Sequence, residues 1–324
     1  RGARSGPLRR RLGILELVTF SAERYRQIAV VALVALSVII VTGASVRLTG
    51  SGLGCDDWPN CSKERLIDVS SKHAAIEQIN RLFTGVVGAA VIAAVLGAYR
   101  RPPRRRDLVV LAWLLVVGVI ANAVLGGISV LVELHPAAVQ GHMLLSMGLI
   151  VAATTLVRRA SEPDGVPRVV VVSTPTRRLV WLHFTLTCVA IVTGTVVTGS
   201  GPHAGDENAI RFGFDIGAVA RVHAVAVLTT IAVTLLIIWR TRSVGRDRAA
   251  LWPVLSTWMF VGVLQALLGY VQYLTDVPAL LVGIHVAGAT AVMIVSTLLL
   301  LDTSRPAPAG ADLTVPHDDA VPVT

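Results

Sequence analysis

The sequence predicts an all-α integral membrane protein, with eight transmembrane helices set as two tandem four-helix bundles related by pseudo-twofold symmetry. Three observations carry this. The 324 residues are 54% hydrophobic and only 15% charged, against about 25% charge in soluble domains. Apolar runs of bilayer-crossing length, roughly 20 residues, recur at 28–48, 74–98, 108–131, 137–157, 179–198, 216–239, 250–274 and 279–301. A set of residues also repeats at a fixed offset. Subtracting 143 from His223 and His285 gives Asn80 and His142, and Leu125, Gly126, Leu131 and His142 map onto Leu268, Gly269, Leu274 and His285.

The elements follow in order. Residues 1–27 form a basic N-terminal segment. The chain begins at Arg1 rather than Met, so we expect its natural start to lie upstream. The first span is too long for a cleavable signal peptide, and no small-residue cleavage pattern follows it. Residues 28–157 make the N-terminal half, 158–178 a linker, and 179–301 the C-terminal half. The first spans of the halves end alike, in "VTGASVRLTGSG" and "VTGTVVTGSG". Four spans per half give both halves the same orientation, hence parallel repeats about an axis along the membrane normal. The tail 302–324 is rich in Pro, Ala and Asp and reads as disordered.

The net charge of +9 is a topology signal rather than a nucleic-acid one. Arg1, Arg4, Arg9, Arg10, Arg11, Arg24 and Arg26 precede or open the first span. Arg100, Arg101, Arg104, Arg105 and Arg106 follow the second. Arg158, Arg159, Arg168, Arg177 and Arg178 follow the fourth, and Arg240, Arg242, Arg246 and Arg248 the sixth. In an eight-span chain these all lie on one side, and the positive-inside bias makes that side the cytoplasm. The expectation is a multi-pass plasma-membrane protein in contact with lipid, with both termini cytoplasmic. Two outer connections, 49–72 and 199–215, are long, polar and Gly-rich, as loops over binding sites often are. The other two, at "ELHP" and "TDVP", are tight turns.

The chemistry concentrates in the outer third of the spans. Polar groups inside a membrane are costly and usually functional. His223, His285, His142 and Asn80 lie at matched depth, about 8–12 Å below the outer surface at roughly 1.5 Å per residue. Ligands of equal depth on facing helices can grip a planar metal cofactor from both sides, and haem is the first candidate. Bis-histidine ligation by His223 and His285 suits a low-spin, electron-transferring haem. A lone membrane histidine is more often a packing residue, and it is the register that argues for ligation. Glu77 is the one acid inside a span and shares a helix face with Asn80. It reads either as a group that moves protons or as a structural partner of Arg81. Arg47, Arg81 and Arg221 sit where they can pair with ligand carboxylates such as haem propionates, or snorkel to the interface. Cys55 and Cys61, six residues apart in an oxidising compartment, can close a disulfide. It would be either a structural staple or an exposed redox-active pair above a haem. Cys188 reads as an apolar filler. His73, His135 and His203 lie at outer edges or in a loop, His183 at the cytoplasmic end of the fifth span, and His317 in the tail. No CxxCH, P-loop or GxGxxG with a following acid occurs.

These residues match a family. "VTGASVRLTGSGLGCDDWPNC", "HAAIEQINRLFTG", "LGGISVLVELHPAAVQGH", "RVHAVAV" and "LGYVQYLTDVPALLVGIH" together resemble haem A synthase, over all eight spans, in its bacterial, actinobacterial-like form with a loop cysteine pair. The resemblance implies a pseudo-twofold eight-helix fold with haem b in the C-terminal half, its iron held by His223 and His285. It implies a substrate haem O site in the N-terminal half at Glu77, Asn80, Arg81 and His142. The reaction implied is stepwise oxidation of the haem O C8 methyl, through alcohol and hydrated aldehyde, to the formyl group of haem A. Glu77 would be catalytic, and a Cys55–Cys61 disulfide would serve haem transfer or electron delivery. Haem O synthase and cytochrome oxidase assembly factors are the expected partners, with the electron acceptor open. The sequence departs from the family at Asn80, where the motif Glu-x-x-His-Arg has histidine. Either His142 alone holds the substrate iron, or a residue such as His73 steps in. The competing reading is a b-type cytochrome passing electrons between a quinone and an extracytoplasmic acceptor. A parallel-repeat transporter would need broken helices and a midplane site.

Overall fold

In a computed structural model, which describes residues 19–308, the chain folds into eight long helices and one two-stranded sheet. The helices are α1 (Ala22–Leu48), α2 (Lys72–Arg100), α3 (Arg106–Leu131), α4 (Pro136–Ala160), α5 (Thr174–Ser200), α6 (Ile216–Thr241), α7 (Gly245–Leu274) and α8 (Ala279–Leu301). All eight are long and apolar enough to cross a membrane. Most start a few residues before the apolar runs do, because capping rather than hydropathy sets a helix start. Ser21 accepts from the Arg24 N–H, Ser71 from Ala74 and Asp215 from Ala218, while Pro136 and Pro175 occupy first-turn positions. Rows of exposed apolar side chains, among them Val31, Val117, Ile120, Leu228 and Leu267, face outward as lipid-facing surfaces do.

Within the first half α1 packs on α2, α2 on α3, α3 on α4 and α4 back on α1, a closed ring. The second half repeats the ring with α5, α6, α7 and α8. The rings meet through α4 with α8, α1 with α8, and α4 with α5. Exchanging α1 with α5 and α4 with α8 leaves that contact set unchanged, as a twofold relation requires. The tight turns carry the same signature. Glu133 and Leu134 between α3 and α4, and Asp276 and Val277 between α7 and α8, all have φ between 52° and 59°. They coincide under the 143-residue offset. A left-handed β-branched residue such as Val277 is strained, so its recurrence at the repeat position reflects shared turn geometry.

The side that carries the linker and the tail departs from expectation. The linker and tail are not both irregular: β1 (Arg168–Val170) pairs antiparallel with β2 (Ser304–Pro306). Asp302 accepts from Arg158 and Arg305, and Arg168 binds Glu162 and the Ser304 carbonyl. Buried charge pairing thus orders the start of a segment whose composition reads as disordered. The rest of the tail, with His317, and Arg1, Arg4, Arg9, Arg10 and Arg11 lie outside the described residues. On the opposite side the two long loops join. The Gly52 N–H donates to the Gly205 carbonyl at 2.9 Å, and Leu134 packs with Ala204 and Ala209 beneath them.

Candidate functional site

Four polar side chains point into the helix rings from six to eight residues inside their helices. Asn80 is on α2 and His142 on α4. His223 is on α6 and His285 on α8. Since α2 and α4 touch α1 and α3 but do not pack on each other, they stand across their ring, as do α6 and α8 across theirs. At 1.5 Å per residue this depth is about 9–12 Å from the outer helix ends.

Each of the three imidazoles is seated on a glycine, and Asn80 lies beside a fourth. A Cβ on Gly126 of α3 would lie 2.9 Å from His142 Cε1, and one on Gly269 of α7 would lie 3.2 Å from His285 Cε1. A Cβ on Gly194 of α5 would lie 3.0 Å from His223 Cε1, and one on Gly43 of α1 would lie 3.9 Å from Asn80 Nδ2. Only a bare backbone lets an imidazole approach a helix so closely. Gly126 and Gly269 coincide under the offset, and Gly43 and Gly194 share the "VTG" signature. The repeat therefore carries the seats as well as the side chains.

The seats also choose tautomers. His142 Nδ1 lies 3.1 Å from the Asn122 carbonyl, which only accepts, so Nδ1 carries the proton and Nε2 keeps its lone pair. His223 Nδ1 lies 3.2 Å from Thr193 Oγ1, whose own hydrogen goes to the Val189 or Ala190 carbonyl. His223 Nε2 is therefore also free. A histidine ligand held through its other nitrogen is the usual arrangement around a metal. His285 Nδ1 is buried without a partner among the described residues, and Gln265 Nε2 donates to the His285 carbonyl at 2.7 Å.

The outer end of the first half is built differently. The Arg81 guanidinium grips Glu77 Oε1 with Nε at 2.9 Å and Nη2 at 2.6 Å, and its Nη1 donates to the Asp57 and Asn60 carbonyls, each at 3.0 Å. Glu77 Oε2 accepts from the Cys55 N–H at 2.9 Å. Cys55 and Cys61 are disulfide-bonded. They are 0% and 2% exposed, which matches the structural staple of the two alternatives rather than the exposed pair: α2 and the loop's own turns bury the bridge, with Gln78 against Cys55. Trp58 lies flat on Gly127 of α3, where a Cβ would come within 2.3 Å of the indole. The loop 49–72 is thus pinned over the first ring by a salt bridge, a disulfide and a tryptophan.

Other expected residues fall as follows. Arg47 donates to the His203 and Thr198 carbonyls and ties the halves together, so its guanidinium is already spent on the protein. Arg81 is likewise committed to Glu77 and the loop. Arg221 is exposed and makes no hydrogen bond or ion pair among the described residues. His73, one residue into α2, binds Ser51 Oγ at 2.9 Å and is exposed, about 10 Å along the helix from Asn80. His135 is exposed, and His203 binds the Val277 carbonyl at 2.8 Å. Sequence reasoning missed the glycine seats, Thr193, Asn122 and the Trp58 anchor. The recurrence of Gly126 as Gly269 was the available signal.

A sequence profile of the family described as cytochrome oxidase assembly protein matches residues 26–205. The chain belongs to this family. Family members similar to it over most or part of its length include the Heme A synthase of Halalkalibacterium halodurans, 24% identical over 77% of this chain and 85% of that protein. The Heme A synthase of Lysinibacillus sphaericus is 34% identical over 32% of this chain and 34% of its own. That of Bacillus mycoides is 31% identical over 40% and 43%. The profile match runs from α1 through the second outer loop's start, and so takes in every residue of the Glu77–Arg81–Cys55 clamp.

Proposed function

We propose that this protein is a haem A synthase, oxidising the C8 methyl of haem O to a formyl group. Membership of a family whose relatives are named Heme A synthase supports this, as does one observation of the site: glycine-seated histidines in both halves, His142 and His285 in repeat register, with Nε2 free on His142 in the first ring and on His223 in the second. A b-type cytochrome needs His223 and His285 but has no use for the Glu77–Arg81 clamp and its disulfide loop.

The C-terminal ring fits a resident haem b. His223 presents an unprotonated Nε2, His285 faces it from across the ring, and a Cβ at Gly194 or Gly269 would crowd the rings that do so. Arg221, exposed and unpaired, is a partner for a propionate. When bound, haem b supplies one-electron transfer. In the N-terminal ring, His142 positions the substrate haem O. Asn122 fixes the His142 ring, the loop with Trp58 excludes water from above, and Glu77 holds or moves a proton at its carboxylate beside the reacting edge. The repeat places Ala220 where the first half has Glu77, which confines acid–base chemistry to the N-terminal ring. The basic connections set both termini in the cytoplasm and both sites toward the extracytoplasmic face. Haem O synthase and cytochrome oxidase assembly factors are the matching donor and recipients.

The test is to purify the protein from cells co-expressing a haem O synthase, extract its haems and separate them. Haem b together with haem O, the alcohol intermediate or haem A is expected. Haem b alone, with haem O available in the cells, would overturn the proposal.

A further inference from the structure

The four facing positions are alike in depth but not in chemistry. Three hold imidazoles and the fourth holds the neutral amide of Asn80, whose nitrogen lone pair is delocalised and whose oxygen is a poor donor to haem iron. No other imidazole in the first ring replaces it. His73 is exposed and engaged by Ser51 about 10 Å away along the helix, and His135 is exposed at the start of α4. The amide is nevertheless not idle packing. Its Oδ1 is buried and has no hydrogen-bond partner among the described residues. Stranding such an atom costs about 1–3 kcal/mol, which selects for a partner that the polypeptide itself does not supply. Asn122, beside the His142 seat, also presents a buried unpaired Oδ1, while its Nδ2 is satisfied by Ser146 Oγ at 2.9 Å. The second ring has His223 and Gln265 at these two repeat positions, and the Gln265 amide is turned onto the His285 backbone.

The geometry points to asymmetric ligation: in the N-terminal ring His142 alone holds the substrate iron, and Asn80 lines an open coordination position with an amide oxygen that accepts a hydrogen bond from a small neutral donor such as water. This rests on the reading of that ring as the haem O site. The C-terminal haem, held from both sides, takes no such ligand. One polypeptide thus carries a closed haem and an open one. The choice between them lies in a single side chain at one repeat position.

The experiment uses the full-length protein purified with both haems. Its ferric form is examined by electron paramagnetic resonance, and its ferrous form is titrated with carbon monoxide while extracted haems are counted. A high-spin ferric component and carbon monoxide uptake by half of the haem are expected. Asn80→His converts the high-spin component to low-spin and abolishes carbon monoxide uptake. Asn80→Leu keeps the uptake, since the position stays open, but loses the acceptor for an iron-bound water, so the high-spin ferric haem turns from six- to five-coordinate in resonance Raman. A wild-type protein that is wholly low-spin and inert to carbon monoxide, yet still yields a prenylated haem on extraction, overturns the inference and leaves the function intact. A ferric haem that stays six-coordinate in Asn80→Leu overturns the role of the amide. Extraction of haem b alone overturns both the inference and the functional reading beneath it.

Discussion

Gly194→Ala tests the seat of the second ring directly. The added Cβ would stand 3.0 Å from His223 Cε1, 3.4 Å from Nδ1 and 3.6 Å from Nε2. Carbon–carbon contacts are comfortable at about 3.5–4.0 Å, so the ring must retreat by roughly 0.5–1 Å. Ligand positions at a metal tolerate about 0.2 Å. The 3.2 Å bond from His223 Nδ1 to Thr193 also lengthens or breaks. Losing the support of a ligating histidine typically costs about 10–100-fold in affinity. Folding should not suffer in proportion, because alanine is favoured over glycine in a helix by about 1 kcal/mol. The assay is the rate at which purified protein surrenders haem b to an excess of apomyoglobin, alongside the haem content as isolated. Gly194→Ala should release haem b about 10–100-fold faster, and Gly88→Ala, where a Cβ meets nothing within 4 Å, should match wild type. Gly126→Ala should spare haem b and deplete the substrate haem. Equal release rates for Gly194→Ala and Gly88→Ala would refute the seating argument.

Three further outcomes are expected. Glu77→Gln keeps an acceptor for the Cys55 N–H but dissolves the ion pair with Arg81, whose side chains are 6% and 19% exposed; haem b should stay spectrally intact while haem A formation is lost, and retained product would remove Glu77 from the mechanism. Replacing Cys55 and Cys61 by serine should lower stability by about 2 kcal/mol from loop-closure entropy, read by thermal unfolding. In the native protein the buried bridge should resist dithiols that reduce it readily after denaturation, and fast native reduction would restore a redox role. His183→Ala removes the ring's bonds to Thr234 and Ser296, at 3.0 Å and 3.3 Å, and leaves a cavity beside them. It should cost about 2–4 kcal/mol without altering the haem b spectrum, since His183 is eleven residues, about 16 Å, below Gly194 along α5.

The spans and the histidine register are legible in the sequence because both follow from local constraints. A bilayer fixes the length of an apolar run, and a duplicated unit keeps its spacing. The seats are half legible: Gly126 and Gly269 repeat, but nothing in a linear spacing says that the ring of His142 lies on the first. What stays hidden is whatever depends on contacts far apart in the chain. Arg47 reads as an interfacial cation free for a ligand, and its bonds to the carbonyls of Thr198 and His203, more than 150 residues away, become visible only when the two outer loops meet. The cysteine pair reads as either a buried staple or an exposed redox pair, and its spacing does not decide between them. Arg81 holds the carbonyls of Asp57 and Asn60, and the sulfurs lie buried against α2. The strand after α8 is invisible for the same reason, since Ser304–Pro306 has no strand pattern until Arg168–Val170 lies beside it.

The halves have diverged at opposite ends, and the divergence fits the division of labour proposed for them. Toward the linker and tail, the second ring carries a polar knot from four helices. His183 bonds Thr234 and Ser296, Trp258 Nε1 donates to Ser296 Oγ at 2.8 Å, and Thr187 joins the same oxygen. Aligning the shared "VTG" of α1 and α5, and the 143-residue offset elsewhere, the first ring has Ala32, Val91, Ala153, Leu115 and Leu36 at these places, all buried in one apolar core. Hydrogen bonds between helices are directional, so sliding any helix of the second ring strands a buried polar group. Dispersion contacts among small and aliphatic side chains carry no such register and yield at lower cost. At the outer end the pattern reverses: Glu77, Arg81 and the disulfide loop clamp the first ring, and the second has Ala220 and Ala224 instead. A ring that keeps one haem needs a fixed gap between α6 and α8, which the knot maintains from below. A ring that admits haem O and releases haem A must let α2 and α4 part and return. An apolar inner half allows the parting, and the ionic clamp on the loop brings Glu77 back to one position after each exchange.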